Sequence, residues 1–257
     1  MDLTYYSTEE TLDSILQVIS KKEKGVYLRF GDGDINLASG VSELYQASNL
    51  ELTKLMRDAI NLRDKNVIKT LPLHNREWDT LEEGMFPGNH ECDLEWCENI
   101  IHSFYNVSDI SETEFYSTVA LSHQAMQNPE KAISFLKEIG PKVKYFIGNE
   151  EIPQEILRTI FNENVVHIKT PSQNSFSEFD SIYTEFVEKV ADDKEYSVVV
   201  TSMGCTGRAM QKKLWDRYDN FFFFDFGSLM DALCGWNTRA WIELTKFDKD
   251  QFLGKLK

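Results

Sequence analysis

The sequence predicts an α/β protein whose Rossmann-like, mainly parallel sheet carries helices on both faces. From Pro141 onward, short apolar segments alternate with amphipathic ones, which is the pattern of repeated β-α-β units. The apolar segments lack polar alternation, so we expect strands that are buried on both faces. With 257 residues, of which 42% are hydrophobic, the chain can form a large core. We therefore expect a single domain over residues 1–257.

Two helix–strand pairs are predicted in the N-terminal part of the chain. Ser7, with Glu10 three residues later, has the pattern of a capping box at the start of the first helix. Asn49 can cap the second helix. Apolar periodicity and β-prone runs then predict helix 7–21, strand 26–30, helix 49–63 and strand 67–71.

The middle third, roughly residues 74–125, has weak periodicity and is rich in Trp, His, Asn and acidic residues. We expect a helical insertion over the site here, with helices near 93–104 and 113–126. Beyond it, each apolar strand is followed by an amphipathic helix. The predicted elements are strands 143–147, 165–168, 196–201 and 221–225, and helices 152–162, 176–190 and 206–217.

Charge and hydropathy exclude several classes of protein. The formal net charge is −15, and the Lys and Arg residues form no run that could follow a phosphate backbone. We therefore expect no nucleic-acid partner, and a polyphosphate ligand has to be bound by local groups.

No stretch approaches the roughly 20 apolar residues of a membrane-spanning helix, and the N-terminus lacks the pattern of a signal peptide. We expect a cytoplasmic protein without a transmembrane segment, whose four cysteines are reduced.

The first candidate site is the segment Arg-Phe-Gly-Asp-Gly-Asp at 29–34, directly after a predicted strand. Asp32 and Asp34 offer hard oxygen ligands to Mn²⁺ or Mg²⁺, and the glycines let the backbone approach a ligand. A metal here would bridge the two phosphates of a nucleoside diphosphate. A solvated Asp-Gly turn explains the same spacing.

Two further loops follow predicted strands. Small residues at 202–207 can expose backbone N–H groups to a phosphate, although a tight connection with Thr206 as helix cap explains them equally well. Polar residues at 169–176 can hold a base, a ribose or a sugar hydroxyl, or form an ordinary proline-containing turn.

Two carboxylates near the last predicted strand are candidate general bases for an acceptor hydroxyl. These are Asp225 and Asp231, although an aspartate that ends a buried strand is often a capping group. Arg208, Arg239 and Trp241 lie near these loops in sequence and could neutralise phosphate or stack on a ring, although salt bridges and core packing are the commoner uses of such residues.

Taken together, these segments resemble the GT-D glycosyltransferases. The resemblance rests on four ordered segments: Arg-Phe-Gly-Asp-Gly-acid at 29–34, Pro-x2-Asn-small-Phe at 171–176, Gly-x-Thr at 204–206 and Asp-x-Gly at 225–227. It implies a metal-dependent enzyme of polysaccharide biosynthesis. Such an enzyme moves a sugar from a nucleotide-sugar donor to a hydroxyl of a glycan or glycolipid acceptor.

The resemblance also assigns roles to residues of this chain. Asp32 and Asp34 would hold Mn²⁺ or Mg²⁺, and Asp231 or Asp225 would act as the base. The donor-binding residues implied by the motifs and their flanks are Arg29, Gly31, Pro171, Asn174, Ser175, Gly204, Thr206 and Gly207.

The chain departs from the family pattern at three positions. It has Asp34 where the family usually has Glu, Cys205 where Pro is common, and Ser228 where a histidine is common. Two other functions stay open at this point. A Rossmann-like methyltransferase would use the acidic pair to bind ribose hydroxyls, and a non-catalytic module would bind a nucleotide sugar without turnover.

Overall fold

The protein is described by a computed structural model that covers residues 4–70, 114–191 and 193–257. The strands are β1 Thr4–Tyr5, β2 Gly25–Leu28, β3 Val67–Lys69, β4 Glu114–Phe115, β5 Val143–Asn149, β6 Val166–Thr170, β7 Ser197–Ser202 and β8 Phe221–Asp225. The α-helices are α1 Thr8–Ser20, α2 Asp32–Ala38, α3 Leu50–Ile60, α4 Ala120–Gln127, α5 Pro129–Ile139, α6 Gln154–Ile160, α7 Phe179–Lys189, α8 Thr206–Trp215, α9 Leu229–Cys234, α10 Ala240–Thr245 and α11 Lys249–Leu256. Short 3₁₀ helices occupy Gly140–Lys142 and Ser175–Glu178.

Six strands form one parallel sheet in the order β3-β2-β8-β7-β5-β6. The pair at the centre of the sheet, β7 and β8, aligns Val199 with Phe223. A separate parallel pair joins β1 to β4. The predicted α/β fold with a mainly parallel sheet is therefore confirmed.

Alternate residues of the strands face opposite sides of the sheet, as the pleat requires. Phe221 and Phe223 belong to one hydrophobic cluster, while Phe222 and Phe224 belong to the other, and all four are fully buried. The first cluster is covered by α2, α3, α7 and α8. The second is covered by α1, α4, α5, α6, α9, α10 and α11. Both faces are thus buried, which explains why the strands are apolar throughout.

Local signals set the ends of the first helices. Ser7 accepts from the Glu10 amide while the Glu10 carboxylate accepts from the Ser7 amide, which completes the predicted capping box of α1. Asn49 accepts from the amide of Leu52 and caps α3, also as predicted. No helix among the described residues is long and apolar enough to span a membrane.

Some predicted elements begin elsewhere, and others lie outside the described residues. The predicted helix 113–126 starts only at Ala120, because Glu114–Phe115 pairs with β1 instead. The helices α5, α9, α10 and α11 were not predicted, and the last three have only six to eight residues each, which is shorter than a window of about 11–18 residues in which periodicity is reliable. The predicted helix 93–104 and most of the expected insertion fall in 71–113, outside the described residues.

Candidate functional site

Five loops meet at the carboxyl edge of the parallel sheet. They follow β2, β5, β6, β7 and β8, and with the segments 42–46 and 236–241 they line a pocket of about 1020 Å³. Ligands of open α/β sheets bind at this edge. Pockets for single small ligands span about 300–1,000 Å³. This pocket can therefore hold a nucleotide-sized ligand together with part of a second one.

The predicted site residues converge here, with one exception. Gly207 does not line the pocket, because it packs inward in the first turn of α8, where an added Cβ would lie 3.3 Å from Cγ of Met203. The predicted residues that line the pocket are Arg29, Gly31, Asp32, Asp34, Pro171, Asn174, Ser175, Gly204, Thr206, Asp225 and Asp231.

Four charged side chains of the pocket form a connected ion-pair network. Nη1 of Arg208 lies 2.9 Å from Oδ2 of Asp225, and its Nε lies 3.3 Å from Oδ1 of Asp34. On the other side of Asp225, Nε of Arg29 donates to Oδ1 at 3.0 Å. Asp34, Arg208 and Asp225 are all buried. The network joins the loops after β2 and β8 to the first turn of α8.

Burial and charge pull the protonation of this network in opposite directions. Burial raises the pKa of Asp34, while Arg208 and the Gly31 amide oppose that shift. Burial alone would lower the pKa of Arg208, but the charges of Asp225 and Asp34 raise it by more than burial lowers it. The pKa of Arg208 is therefore raised overall. Arg208 is therefore charged at every physiological pH, and its guanidinium is engaged by two carboxylates.

Gly227 allows the loop after β8 to pack against Arg29. Its φ of +67° lies in the left-handed region, and an added Cβ would sit 2.7 Å from Cζ of Arg29. A glycine is thus required at this position by both the backbone conformation and the close approach of the guanidinium. The Asp-x-Gly segment at 225–227 therefore contacts Arg29 twice, through the Asp225 carboxylate and through the backbone of Gly227.

The two carboxylates of the predicted metal motif have different surroundings. Asp34 is buried, and its Oδ2 accepts from the Gly31 amide at 2.8 Å. Its Oδ1 lies 3.3 Å from Nε of Arg208 but accepts no well-aligned hydrogen bond from the described residues. Asp32 is exposed, and one of its oxygens accepts from the Gly33 amide. Among the described residues, no three His, Cys, Asp or Glu side chains form a ready-made metal cluster. Asp32 fits a metal that is also bound by phosphate oxygens, whereas Asp34 is closed off by Arg208.

Asp231 is a half-buried carboxylate on the opposite side of the network. Its Oδ2 accepts from Oγ1 of Thr238 at 2.5 Å. Burial raises its pKa, while the Thr238 hydroxyl and the charges of Arg239 and Arg29 oppose the shift. Unlike Asp225, Asp231 makes no ion pair within 4.0 Å in the described part of the chain, so its carboxylate is available to accept a proton.

Gln46 connects three site loops and was not predicted from the sequence. Its Oε1 accepts from the Phe176 amide at 3.1 Å and from the Thr206 hydroxyl at 3.0 Å. The strands β6 and β7 are separated by β5, yet Gln46 brings their two following loops together. Nothing in the aperiodic segment 39–49 marks one glutamine for this role, because the partners are more than 100 residues away.

Comparison with known proteins identifies the family. A model of the family described as "Glycosyltransferase GT-D fold" matches residues 27–231. The chain belongs to this family. The match spans the pocket loops from the one after β2 to Asp231, while the lining segment 236–241 lies beyond it. It confirms both the resemblance and the predicted enzyme class, a glycosyltransferase.

Solved structures of similar fold agree with this GT-D assignment. The "New Glycosyltransferase (DUF1792) from Streptococcus sanguinis" is 20% identical, with a TM-score of 0.63, and the match covers 90% of this chain and 83% of that one. A structure described as "The highly conserved domain of unknown function 1792 has a distinct glycosyltransferase fold" is 19% identical, with a TM-score of 0.64 and coverage of 89% and 79%. A selenomethionine form of domain of unknown function 1792 is 18% identical, with a TM-score of 0.65 and the same coverage. No curated protein matches the chain.

The departures from the GT-D motif pattern lie around this pocket. Ser228, at the position where a histidine is common, accepts from the indole Nε1 of the buried Trp241 at 3.0 Å. Cys205, at the common proline position, is free, and burial raises its pKa well above the ordinary value of a thiol. Neither position therefore supplies a proton acceptor at neutral pH.

Proposed function

We propose that this GT-D glycosyltransferase moves a sugar from a nucleoside-diphosphate donor to a hydroxyl of a glycan or glycolipid in polysaccharide biosynthesis, with Mn²⁺ or Mg²⁺ as cofactor. The observation that carries the proposal is the charge of the pocket. Six acidic side chains and only three cationic ones line it among the described residues. Two of those three, Arg29 and Arg208, are already paired with carboxylates. A diphosphate entering this pocket needs a divalent cation to offset the repulsion.

Asp32 is the residue we propose as the protein ligand of that cation. Its exposed carboxylate lies at the start of α2, beside the pocket, and Mg²⁺ sites commonly combine one or two carboxylates with phosphate oxygens and water. The cation would supply charge stabilisation to the departing diphosphate. Asp34 contributes by positioning: it fixes the Gly31 amide and holds Arg208. Direct binding of metal by Asp34 stays a prediction and requires Arg208 to move.

The donor is expected to bind along the loops after β6 and β7. Pro171, Asn174 and Ser175 line one side of the pocket, and Gly204 and Thr206 line the other. The backbone amide of Asn174 donates to the Tyr45 carbonyl at 2.8 Å and fixes this loop. Loops that are fixed in this way need little reordering on binding, which favours affinity.

Asp231 is the residue we propose as the general base. Its raised pKa makes it a better proton acceptor than an ordinary aspartate. In an inverting reaction it would take the proton of the acceptor hydroxyl while that oxygen attacks the anomeric carbon and the bond to the diphosphate breaks. Asp225 is less suited, because both of its oxygens already contact Arg29 and Arg208.

A thermal-shift panel tests the proposal. The ligands are UDP, GDP, dTDP, CMP and S-adenosylmethionine, each with Mn²⁺, Mg²⁺ or EDTA. We expect one nucleoside diphosphate to raise the Tm only when metal is present. At 100 times Kd, mass action stabilises the fold by about 2.7 kcal/mol, or roughly 5–11 °C for a chain of this size. Stabilisation by S-adenosylmethionine alone, or by no nucleotide under any condition, would contradict the proposal.

A further inference from the structure

One cationic side chain of the pocket stands apart from the ion-pair network. Arg239 is exposed and lines the pocket, and no carboxylate of the described residues lies within ion-pair distance of it. Its Nη1 donates a long hydrogen bond of 3.4 Å to the Thr238 carbonyl. Arg29 and Arg208, by contrast, are each bound to Asp225. In the described part of the chain, Arg239 is therefore the pocket cation without a direct ion pair, although its charge acts on Asp231 at longer range.

The guanidinium of Arg239 packs over an aromatic ring. Cζ of Arg239 lies 5.7 Å from the ring centre of Tyr45, which also lines the pocket. An exposed cation–π contact is weak, whereas a guanidinium can bind two phosphate oxygens through parallel N–H groups. A phosphate group can thus displace the ring contact. In a chain of formal net charge −15, an arginine without a direct ion pair inside an acidic pocket can serve as an anion site.

The position of Arg239 places such an anion next to the candidate base. Thr238, its neighbour in the chain, donates to Asp231 at 2.5 Å. A phosphate on Arg239 would lie close to the carboxylate at which an acceptor hydroxyl is deprotonated. It would therefore belong to the reacting end of the substrates.

We propose that Arg239 is the phosphate-binding residue of this pocket, released from Tyr45 when a substrate phosphate enters. The inference rests on the proposed function, because it takes the substrates to carry phosphate. Two sources have the same chemistry: the diphosphate of the donor, or a phosphate carried by the acceptor. Both offer the paired oxygens that a guanidinium binds.

Calorimetric titration of inorganic pyrophosphate and of UDP, GDP and dTDP, with Mn²⁺ present throughout, tests this with Arg239→Gln and Arg239→Lys. Loss of the guanidinium in Arg239→Gln should weaken pyrophosphate binding by about 10- to 100-fold, and Arg239→Lys should recover part of it. Arg217→Gln is the matched control, since Arg217 is also exposed and stacks on Tyr183 and Tyr218 but does not line the pocket. It should bind as the wild type does.

Titration of pyrophosphate in the presence of a saturating nucleoside diphosphate separates the two sources. If Arg239 binds the donor diphosphate, the nucleotide blocks pyrophosphate; if it binds an acceptor phosphate, pyrophosphate still binds and depends on Arg239. Unchanged affinities in Arg239→Gln would overturn the inference and leave the proposed function standing. Arg239-dependent pyrophosphate binding without any nucleotide binding would support the inference and refute the proposed function. A wild-type protein that binds none of these ligands would refute both.

Discussion

Replacing Arg208 with methionine tests whether the ion-pair network holds the site together. The arginine is buried and pairs with Asp34 and Asp225, which are also buried. Methionine fills much of the volume of the arginine but carries no charge. Among the described residues, Asp34 then has no cationic partner, and Asp225 keeps only its contact with Arg29. The loops after β2 and β8 should then lose their common anchor.

The size of the effect follows from the burial of the partners. Removing one member of a buried ion pair destabilises a protein by about 3–5 kcal/mol, because the partner charge stays buried. For a protein of this length, that corresponds to a decrease in Tm of roughly 6–20 °C. Changing Asp34 to asparagine in the same chain should recover part of the loss, since the remaining carboxylate, Asp225, keeps Arg29 as its partner.

Urea unfolding at pH 7 measures this, with Arg158→Met as the control. Arg158 pairs with Glu163 at 3.6 Å, and both side chains are largely exposed, so its replacement should change the unfolding free energy by under about 1 kcal/mol. An Arg208→Met protein as stable as the control would refute the reasoning. So would a double variant, Arg208→Met with Asp34→Asn, that is less stable than Arg208→Met alone.

Three further predictions concern single positions of the pocket. Gly227→Ala should lose about 1–3 kcal/mol of unfolding free energy in a denaturant titration, because of backbone strain and displacement of Arg29. The control Gly254→Ala, in a helix with open space around it, should gain about 1 kcal/mol. Equal effects of the two substitutions would contradict this. Gln46→Leu leaves the Phe176 amide and the Thr206 hydroxyl without their acceptor and should lose about 1–3 kcal/mol in the same titration. It should also weaken nucleotide binding in calorimetry. An unchanged affinity would show that Gln46 does not support the donor site. Asp231 must be ionised to act as a base, and burial raises its pKa, so kcat should fall with decreasing pH at a higher pH than for an ordinary aspartate. Asp231→Asn should lower kcat about 10²- to 10⁴-fold with an intact fold; a kcat near that of the wild type would exclude Asp231 as the base.

The fold was largely predictable because its signals are local. Apolar runs such as 221–224 mark buried parallel strands, and caps such as Ser7 and Asn49 mark helix starts. Since all six strands of the main sheet run parallel, their following loops meet at one edge. The sequence order of the motifs was therefore enough to place Asp32 and Asn174 in one pocket.

What each site residue contacts was not predictable, because the contacts are distant in sequence. Asp32 and Asp34 look equivalent in an Asp-x-Asp segment, yet one is exposed and the other is paired with Arg208, 174 positions further along the chain. Gln46 likewise bonds to Thr206. Burial and pairing of this kind depend on how helices pack over the sheet, for which a single sequence carries no local signal.

Calorimetric titration of the nucleoside diphosphate that stabilises the protein best, with Mn²⁺ or with EDTA, tests the central claim about Asp32 most directly. The wild type should bind only with Mn²⁺, and Asp32→Asn should lose at least about tenfold in affinity, or roughly 1.4 kcal/mol, without a change in Tm of the ligand-free protein. Asp58→Asn, which changes an exposed aspartate outside the pocket, should bind as the wild type does. Equal binding in EDTA, or full Mn²⁺-dependent binding by Asp32→Asn, would contradict the claim that a metal on Asp32 brings the diphosphate into this acidic pocket.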